Sequence, residues 1–203
     1  MEERLVRNSA ERLQRQFAGT FNTETIERYI HDSQTQLTSQ ATVSRWLPVL
    51  IERVTRDRLR AVMRLDGIAD TKPAVLFLCV HNAGRSQIAA GWMRHLAGDL
   101  IDVFSGGSMP AADSNQGVVD TMAAVGIDIS TEYPKPWTDD VVRAADVIVS
   151  MGCGEACPIV PGTQYLDWDI PSPTGGPADA LAEVRDDIRT RVEALIASLG
   201  VLR

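Results

Sequence analysis

The sequence predicts an α/β fold: a four-stranded parallel sheet flanked by helices, preceded by a small domain of three helices. Three observations carry this. Up to about residue 66 the chain shows only helical periodicity. Asp66-Gly67-Ile68-Ala69-Asp70-Thr71-Lys72-Pro73 then interrupts it with Gly and Pro. Beyond that linker, short apolar runs alternate with amphipathic stretches, the pattern of strands buried beneath helices on both faces. The expected domains are residues 1–70 and 71–203.

The first helix is expected from about Glu3 to Phe17, with Leu5, Leu13 and Phe17 as its sparse apolar positions. Gly19 and Asn22 end it. Asn22 or Thr23 can cap the second helix, and Glu24 in its first turn suits the dipole. Ile26, Tyr29, Ile30, Ser33 and Leu37 then follow three-four spacing. A third helix is expected to start near Thr42 or Ser44, with Trp46, Leu47, Leu50, Ile51, Val54 and Val62 as its stripe. So thin a bundle is marginal alone and gains from pairing, so a homodimer through these helices is expected. Its arginines are interspersed with Glu and Asp, which leaves no basic face for nucleic acid.

In the second domain the first strand is Val75 to Val80, followed by a helix from Gln87 to Leu96. Ile88, Trp92 and either His95 or Leu96 share one face of that helix. Ile101 to Phe104 is the second strand and ends in Ser105-Gly106-Gly107. Helices are expected over Gln116–Val125 and Thr138–Arg143. Asp146 to Met151 is the third strand, and Tyr165-Leu166 sits in a short fourth. Ala178 to Leu199 is a long terminal helix striped by Leu181, Val184, Ile188, Val192, Leu195, Ile196 and Leu199. Right-handed crossovers place all strand C-termini at one edge. Cys79, Ser105 and the segment from Met151 to Cys157 can therefore converge.

The chain of 203 residues is 44% hydrophobic and 23% charged, with a formal net charge of −7. That balance excludes nonspecific nucleic-acid binding and an anionic membrane partner. No apolar run approaches the ~20 residues of a membrane span. The charged start, Met-Glu-Glu-Arg-Leu-Val-Arg-Asn, lacks a signal-peptide core, so the expected compartment is the cytoplasm. There, three cysteines read as reactive or buried thiols.

The chemistry concentrates at residues 75–86. A buried strand delivers Cys79 into a tight loop that feeds a helix N-terminus, with Arg85 and Ser86 closing the loop. Loop amides form an anion nest, and the helix end adds positive potential. Arg85 offers a planar fork for two oxygens of a tetrahedral anion. Backbone amides from Val80, His81, Asn82, Ala83, Gly84, Arg85 and Ser86 complete the expected oxyanion site. The same groups favour a thiolate, so Cys79 is expected to have a depressed pKa and to act as a nucleophile. Ser86 can donate to the sulfur, and Gly84 permits the turn. The bland reading, a structural cysteine with an arginine nearby by accident, does not explain the strand–loop–helix context.

Cys153 and Cys157 lie just past the third strand, four residues apart and flanked by Gly152 and Gly154. On one helical turn that spacing puts their Cα atoms about 6 Å apart, within disulfide range. A redox pair, inert thiols and half of a zinc site are the possible readings. Zinc usually takes four ligands, and His31, His81 and His95 show no metal spacing, so no metal is expected.

Cys79-Val80-His81-Asn82-Ala83-Gly84-Arg85-Ser86 resembles the active-site loop of the low-molecular-weight protein tyrosine phosphatase superfamily. Within it, the chain is most similar to the arsenate reductases of the three-cysteine, thioredoxin-coupled type. The likeness spans roughly Ala74 to Leu199. It includes Phe104-Ser105-Gly106-Gly107, Gly126-Ile127-Asp128-Ile129-Ser130, Tyr133-Pro134-Lys135 and the run from Met151 to Pro158. The resemblance implies arsenate as substrate, Cys79 as nucleophile, Cys153 and Cys157 as a disulfide relay, and thioredoxin as the electron source without a bound cofactor. Two positions depart from the family pattern. Ser172 stands where the family carries a general-acid Asp, leaving Asp167 and Asp169 as nearby carboxyls. Ala90 replaces a Glu used by relatives that hold potassium, although Asn82 of that site is kept. The competing readings are a phosphatase of phosphomonoesters, which needs the acid but not Cys153 or Cys157, and a non-catalytic sensor of oxyanion or redox state.

Overall fold

The computed structural model describes residues 2–40, 47–68, 72–152, 157–172 and 178–201. The chain divides into two compact units, Met1–Ala69 and Asp70–Arg203. The first contains α1 (Glu2–Gln16), α2 (Thr23–Gln40) and α3 (Leu47–Leu65). Asn22 caps α2, its Oδ1 accepting from the Thr25 amide at 2.8 Å. The expected start of the third helix, with Trp46, lies outside the described residues. Leu13, Phe17, Ile26, Ile30, Leu37, Leu50, Ile51, Val54 and Leu59 are buried and form this unit's core. Ser9, Ser33, Thr55 and Glu52 are buried among them. Glu52 is held by Arg12 and by Arg56, the latter at 2.6 Å.

The second unit carries a four-stranded sheet of order β2-β1-β3-β4, built from β1 (Ala74–Cys79), β2 (Asp102–Gly107), β3 (Val147–Ser150) and β4 (Gln164–Asp167). All three pairings are parallel. The helices are α4 (Arg85–Ala97), α5 (Gln116–Ala123), α6 (Asp139–Ala144) and α7 (Ala178–Leu199), and a 3-10 turn at Gly98–Leu100 follows α4. β1 is central and fully buried, as its unbroken apolar run requires. Val75, Phe77 and Cys79 face a core shared with Ile88, Trp92 and Met93 of α4 and with Val184, Ile188, Val192 and Ile196 of α7. Leu76, Leu78 and Ile148 are buried without joining that core, as alternation along a strand dictates.

Three boundaries among the described residues differ from the sequence expectation by two residues or more. β2 runs on through Ser105, Gly106 and Gly107 rather than ending at Phe104, so Ser105 lies inside the strand. The glycines belong there because of close neighbours: a Cβ on Gly106 would meet the Trp137 backbone nitrogen at 2.8 Å. α4 begins at Arg85, two residues early, which places Arg85 in its first turn. α5 stops at Ala123, and Gly126, with φ of 81°, turns the chain away. Among the described residues no helix is long and apolar enough to cross a membrane.

Candidate active site

Cys79 is the last residue of β1 and is a free thiol, 3% exposed. The loop after it is fixed from outside by the chain leaving β2. Ser108, Met109 and Ala111 donate their amides to the carbonyls of Cys79, Val80 and His81 at 3.3, 2.9 and 2.9 Å. With those carbonyls satisfied outward, the loop can turn amides toward the sulfur. The Asn82 N–H donates to Cys79 Sγ at 3.2 Å. Gly107 lies against this loop so closely that a Cβ there would sit 2.6 Å from Val80 O.

Asn82 is wholly buried and adopts φ of 46°, the left-handed region that Asn tolerates better than most residues. Its Oδ1 accepts from the Lys135 amide at 3.0 Å, and its Nδ2 donates to Ser86 Oγ at 2.8 Å. A backbone N–H can only donate, so the orientation of the Asn82 amide is set by Lys135. Ser86 Oγ in turn lies 3.0 Å from Cys79 Sγ. When the sulfur carries negative charge, the Ser86 hydroxyl and the Asn82 amide both donate to it.

Arg85 is half-buried, and its Nη1 donates to Ile170 O at 2.9 Å. The carbonyl is presented by a well-anchored loop: Trp168 packs against Phe77 at 5.9 Å between ring centroids, and Ile170 is buried. Gly152, with φ of 79°, borders the guanidinium, and a Cβ there would approach Nη1 to 3.1 Å. The Lys135 side chain is buried beside β2, its Nζ 3.5 Å from Ser105 Oγ and 3.9 Å from Glu132.

The predicted site residues fall into two groups. Cys79, Val80, His81, Asn82, Ala83, Gly84, Arg85 and Ser86 form one continuous strand–loop–helix turn, with His81 exposed and Asn82 and Ser86 at its buried heart. Cys157 is half-buried and disulfide-bonded, and Cys153 lies outside the described residues. Ser172 is exposed and lines a cavity of about 300 Å³ with Pro171, Leu181, Glu183, Val184 and Asp187. Asp167 accepts from the Ser150 hydroxyl at 2.7 Å, and Asp169 is exposed. Among the described residues no cluster of His, Cys, Asp or Glu could hold a metal ion. Sequence reasoning did not single out Gly107, Lys135 or Ile170 as neighbours of the loop. The Gly106-Gly107 doublet was the available signal for the first, since two glycines in a strand mark close backbone approach.

Comparisons with known proteins agree with this geometry. Residues 6–63 match a protein-tyrosine-phosphatase-like N-terminal domain, and residues 74–201 match the low molecular weight phosphotyrosine protein phosphatase family. The chain is 34% identical over 127 residues to arsenate reductase 2 of Staphylococcus epidermidis, a match covering 61% of this chain and 95% of the relative. A thioredoxin-dependent arsenate reductase of Corynebacterium glutamicum superposes over 100% of both chains with a TM-score of 0.83 and 39% identity. An arsenate reductase in the phosphate binding state aligns with 63% of this chain and 98% of its own, at 32% identity and a TM-score of 0.55. More than half of the sequence falls within the second family match, and the cysteine loop, the sheet order and the terminal helix lie inside it. The chain belongs to the low molecular weight phosphotyrosine protein phosphatase family.

Proposed function

We propose that this chain reduces arsenate to arsenite with thioredoxin as reductant. The observation that carries the reading is the pairing of a free, hydrogen-bonded Cys79, at the end of β1 and the start of the loop that leads into α4, with a disulfide at Cys157 in the same unit. A phosphatase needs only the first. The similarity to a thioredoxin-dependent arsenate reductase along the full chain supports it.

Cys79 attacks the arsenic of arsenate as a thiolate, and an oxygen leaves as water. Arg85 and the amides of residues 80–86 hold the remaining oxygens, and the N-terminus of α4 favours their charge. Asn82 and Ser86 hold the sulfur between turnovers. Cys153 then attacks Cys79 Sγ. The sulfur–arsenic bond breaks, its electron pair stays on arsenic, and arsenite departs from a Cys79–Cys153 disulfide. Cys157 attacks Cys153, frees Cys79 and carries the oxidation away as a Cys153–Cys157 disulfide. Thioredoxin returns it to two thiols. No bound cofactor takes part in this scheme, and the reducing cytoplasm supplies the donor.

The N-terminal helices pair two copies in this reading. Val49, Leu65 and Ile68 are exposed apolar side chains of the first unit, which supports a second copy as their cover. Sedimentation equilibrium of the full chain tests this, and a monomer at micromolar concentration rejects it.

The functional test is an arsenate-dependent oxidation of NADPH through thioredoxin reductase and thioredoxin. Oxidation that vanishes in Cys153→Ser supports the reductase. Hydrolysis of an aryl phosphate without such oxidation moves the assignment to a phosphatase, and neither activity moves it to a sensor.

A further inference from the structure

We propose that Ile159 is the apolar anchor on which a thioredoxin-type dithiol protein docks to reduce this chain. The inference rests on the relay reading above and names the surface that reading requires. Ile159 is 85% exposed, the most exposed large hydrophobic among the described residues, and stands two positions beyond disulfide-bonded Cys157. A solitary exposed aliphatic side chain is ordinary. This one is different because of where it stands and how it is held.

The segment that carries it is clipped to the sheet. The Val160 N–H donates to the Tyr165 hydroxyl at 2.6 Å. Tyr165 belongs to β4, the last strand in the sheet order, and is itself partly exposed. Val160 is therefore tethered at a sheet edge, and the side chain of its neighbour Ile159 is exposed. A dithiol protein must bring its sulfur to bonding distance of a disulfide sulfur, and its surface then covers whatever lies within a few ångströms. An outward isoleucine two residues from Cys157 falls inside that footprint. Burying it on contact adds affinity without any charge, and an apolar surface beside the donor's reactive cysteine is the chemistry that fits.

The exchange is balanced. One donor thiolate attacks Cys157 Sγ, the chain's own S–S bond breaks, and its other sulfur leaves as a thiolate. The second donor thiol attacks the mixed disulfide and releases Cys157. Two electrons and two protons pass to the chain, and the donor becomes a disulfide. A small dithiol performs the same exchange with no docking surface.

That contrast supplies the experiment. Arsenate reduction by the full chain is measured with thioredoxin, its reductase and NADPH at varied thioredoxin, and again with dithiothreitol alone. Ile159→Ser is expected to raise KM for thioredoxin about tenfold, and Ile159→Asp further, with the dithiothreitol-driven rate unchanged. Ile159→Leu is expected to stay within about threefold of the parent. An unchanged KM in Ile159→Asp, or an equal loss with both reductants, overturns the anchor while leaving the relay standing. A parent chain that reduces arsenate with dithiothreitol and not with thioredoxin overturns the thioredoxin reading itself, and the anchor with it.

Discussion

The amide of Lys135 donates to Asn82 Oδ1 at 3.0 Å across a sequence separation of 53 residues. This bond decides which end of the Asn82 side chain faces Ser86, and so directs the Ser86 hydroxyl to Cys79. The polar groups around the sulfur are thus set by the segment before α6, not by the loop alone. Gly107 N also donates to Lys135 O at 3.0 Å, so the same residue is fastened to β2.

Asn82→Ala removes the Oδ1 acceptor and the Nδ2 donor and leaves a residue less tolerant of φ near 46°. Each lost bond in a buried polar network is worth about 0.5–1.5 kcal/mol, and more beside a charge. The expected result is a fall of about 10- to 100-fold in kcat/KM for arsenate. Ser86→Ala, which removes only the hydroxyl facing the sulfur, is expected to lose about tenfold, mainly in kcat. Steady-state kinetics with dithiothreitol as reductant check both. Equal activity in Asn82→Ala and the parent would show that the network is not needed.

Gly107→Ala forces a Cβ to within 2.6 Å of Val80 O and 3.0 Å of the Asn82 nitrogen, both backbone atoms that cannot swing aside. Overpacking of this kind costs about 1–3 kcal/mol. The displacement falls on the anion loop, so activity is expected to drop further than stability. Urea titration and arsenate turnover on the same preparation separate the two. A variant with parental kcat/KM contradicts the close packing.

Gly152→Ala acts on a different partner. Its Cβ would approach Arg85 Nη1 to 3.1 Å, and alanine is strained at φ of 79°. A guanidinium is the end of a flexible side chain and yields, so the fold is expected to survive. The fork then sits off its position for the oxyanion, and misplacement by a fraction of an ångström to one ångström costs on the order of 10- to 100-fold. Most of the loss is expected in KM for arsenate. Inhibition by phosphate should weaken in parallel, and undiminished phosphate inhibition would contradict this account.

The sheet, its order of strands and helices, and the cysteine loop were legible because each leaves a local trace. Val75 to Leu78 can only be a buried strand, and the Gly84-Arg85-Ser86 turn into an amphipathic run announces a helix start. The neighbours that complete the site leave no such trace. Ile170 meets Arg85 through its carbonyl, which every residue possesses, and Lys135 meets Asn82 through its amide. Such contacts depend on register between distant segments. The extension of β2 through Gly106 and Gly107 was missed for a related reason. Glycine pairs read as turns in sequence, whereas here they admit the Trp137 backbone and the anion loop. In the first unit, the stripe of α2 was plain, but the buried Glu52 was not, because its partner Arg12 lies 40 residues away.

That carboxylate gives the N-terminal unit a pH dependence whose sign follows from its surroundings. Burial acts to raise the Glu52 carboxyl pKa, but hydrogen bonds from Arg12 and Ser9 and the charges of Arg12 and Arg56 outweigh it. The pKa is therefore held below its ordinary value of 4.5. Above pH 4.5 the group is ionised in both folded and unfolded chains, and its contribution to stability is fully present. As pH falls below that value the unfolded chain takes up the proton first, so the contribution shrinks, and it is gone once the folded carboxyl is protonated too. The Glu52 side chain is 11% exposed but that of Arg12 is 50%, so solvent screens part of the interaction. Glu52→Gln is expected to lower the stability of this unit by about 1–2 kcal/mol near neutral pH, through loss of the charged hydrogen bonds. The gap between parent and variant should narrow on acidification from about pH 5 to about pH 3. Urea titrations of both proteins across that range measure the gap directly. A constant gap would mean that the shape of the side chain, not its charge, joins α1 to α3.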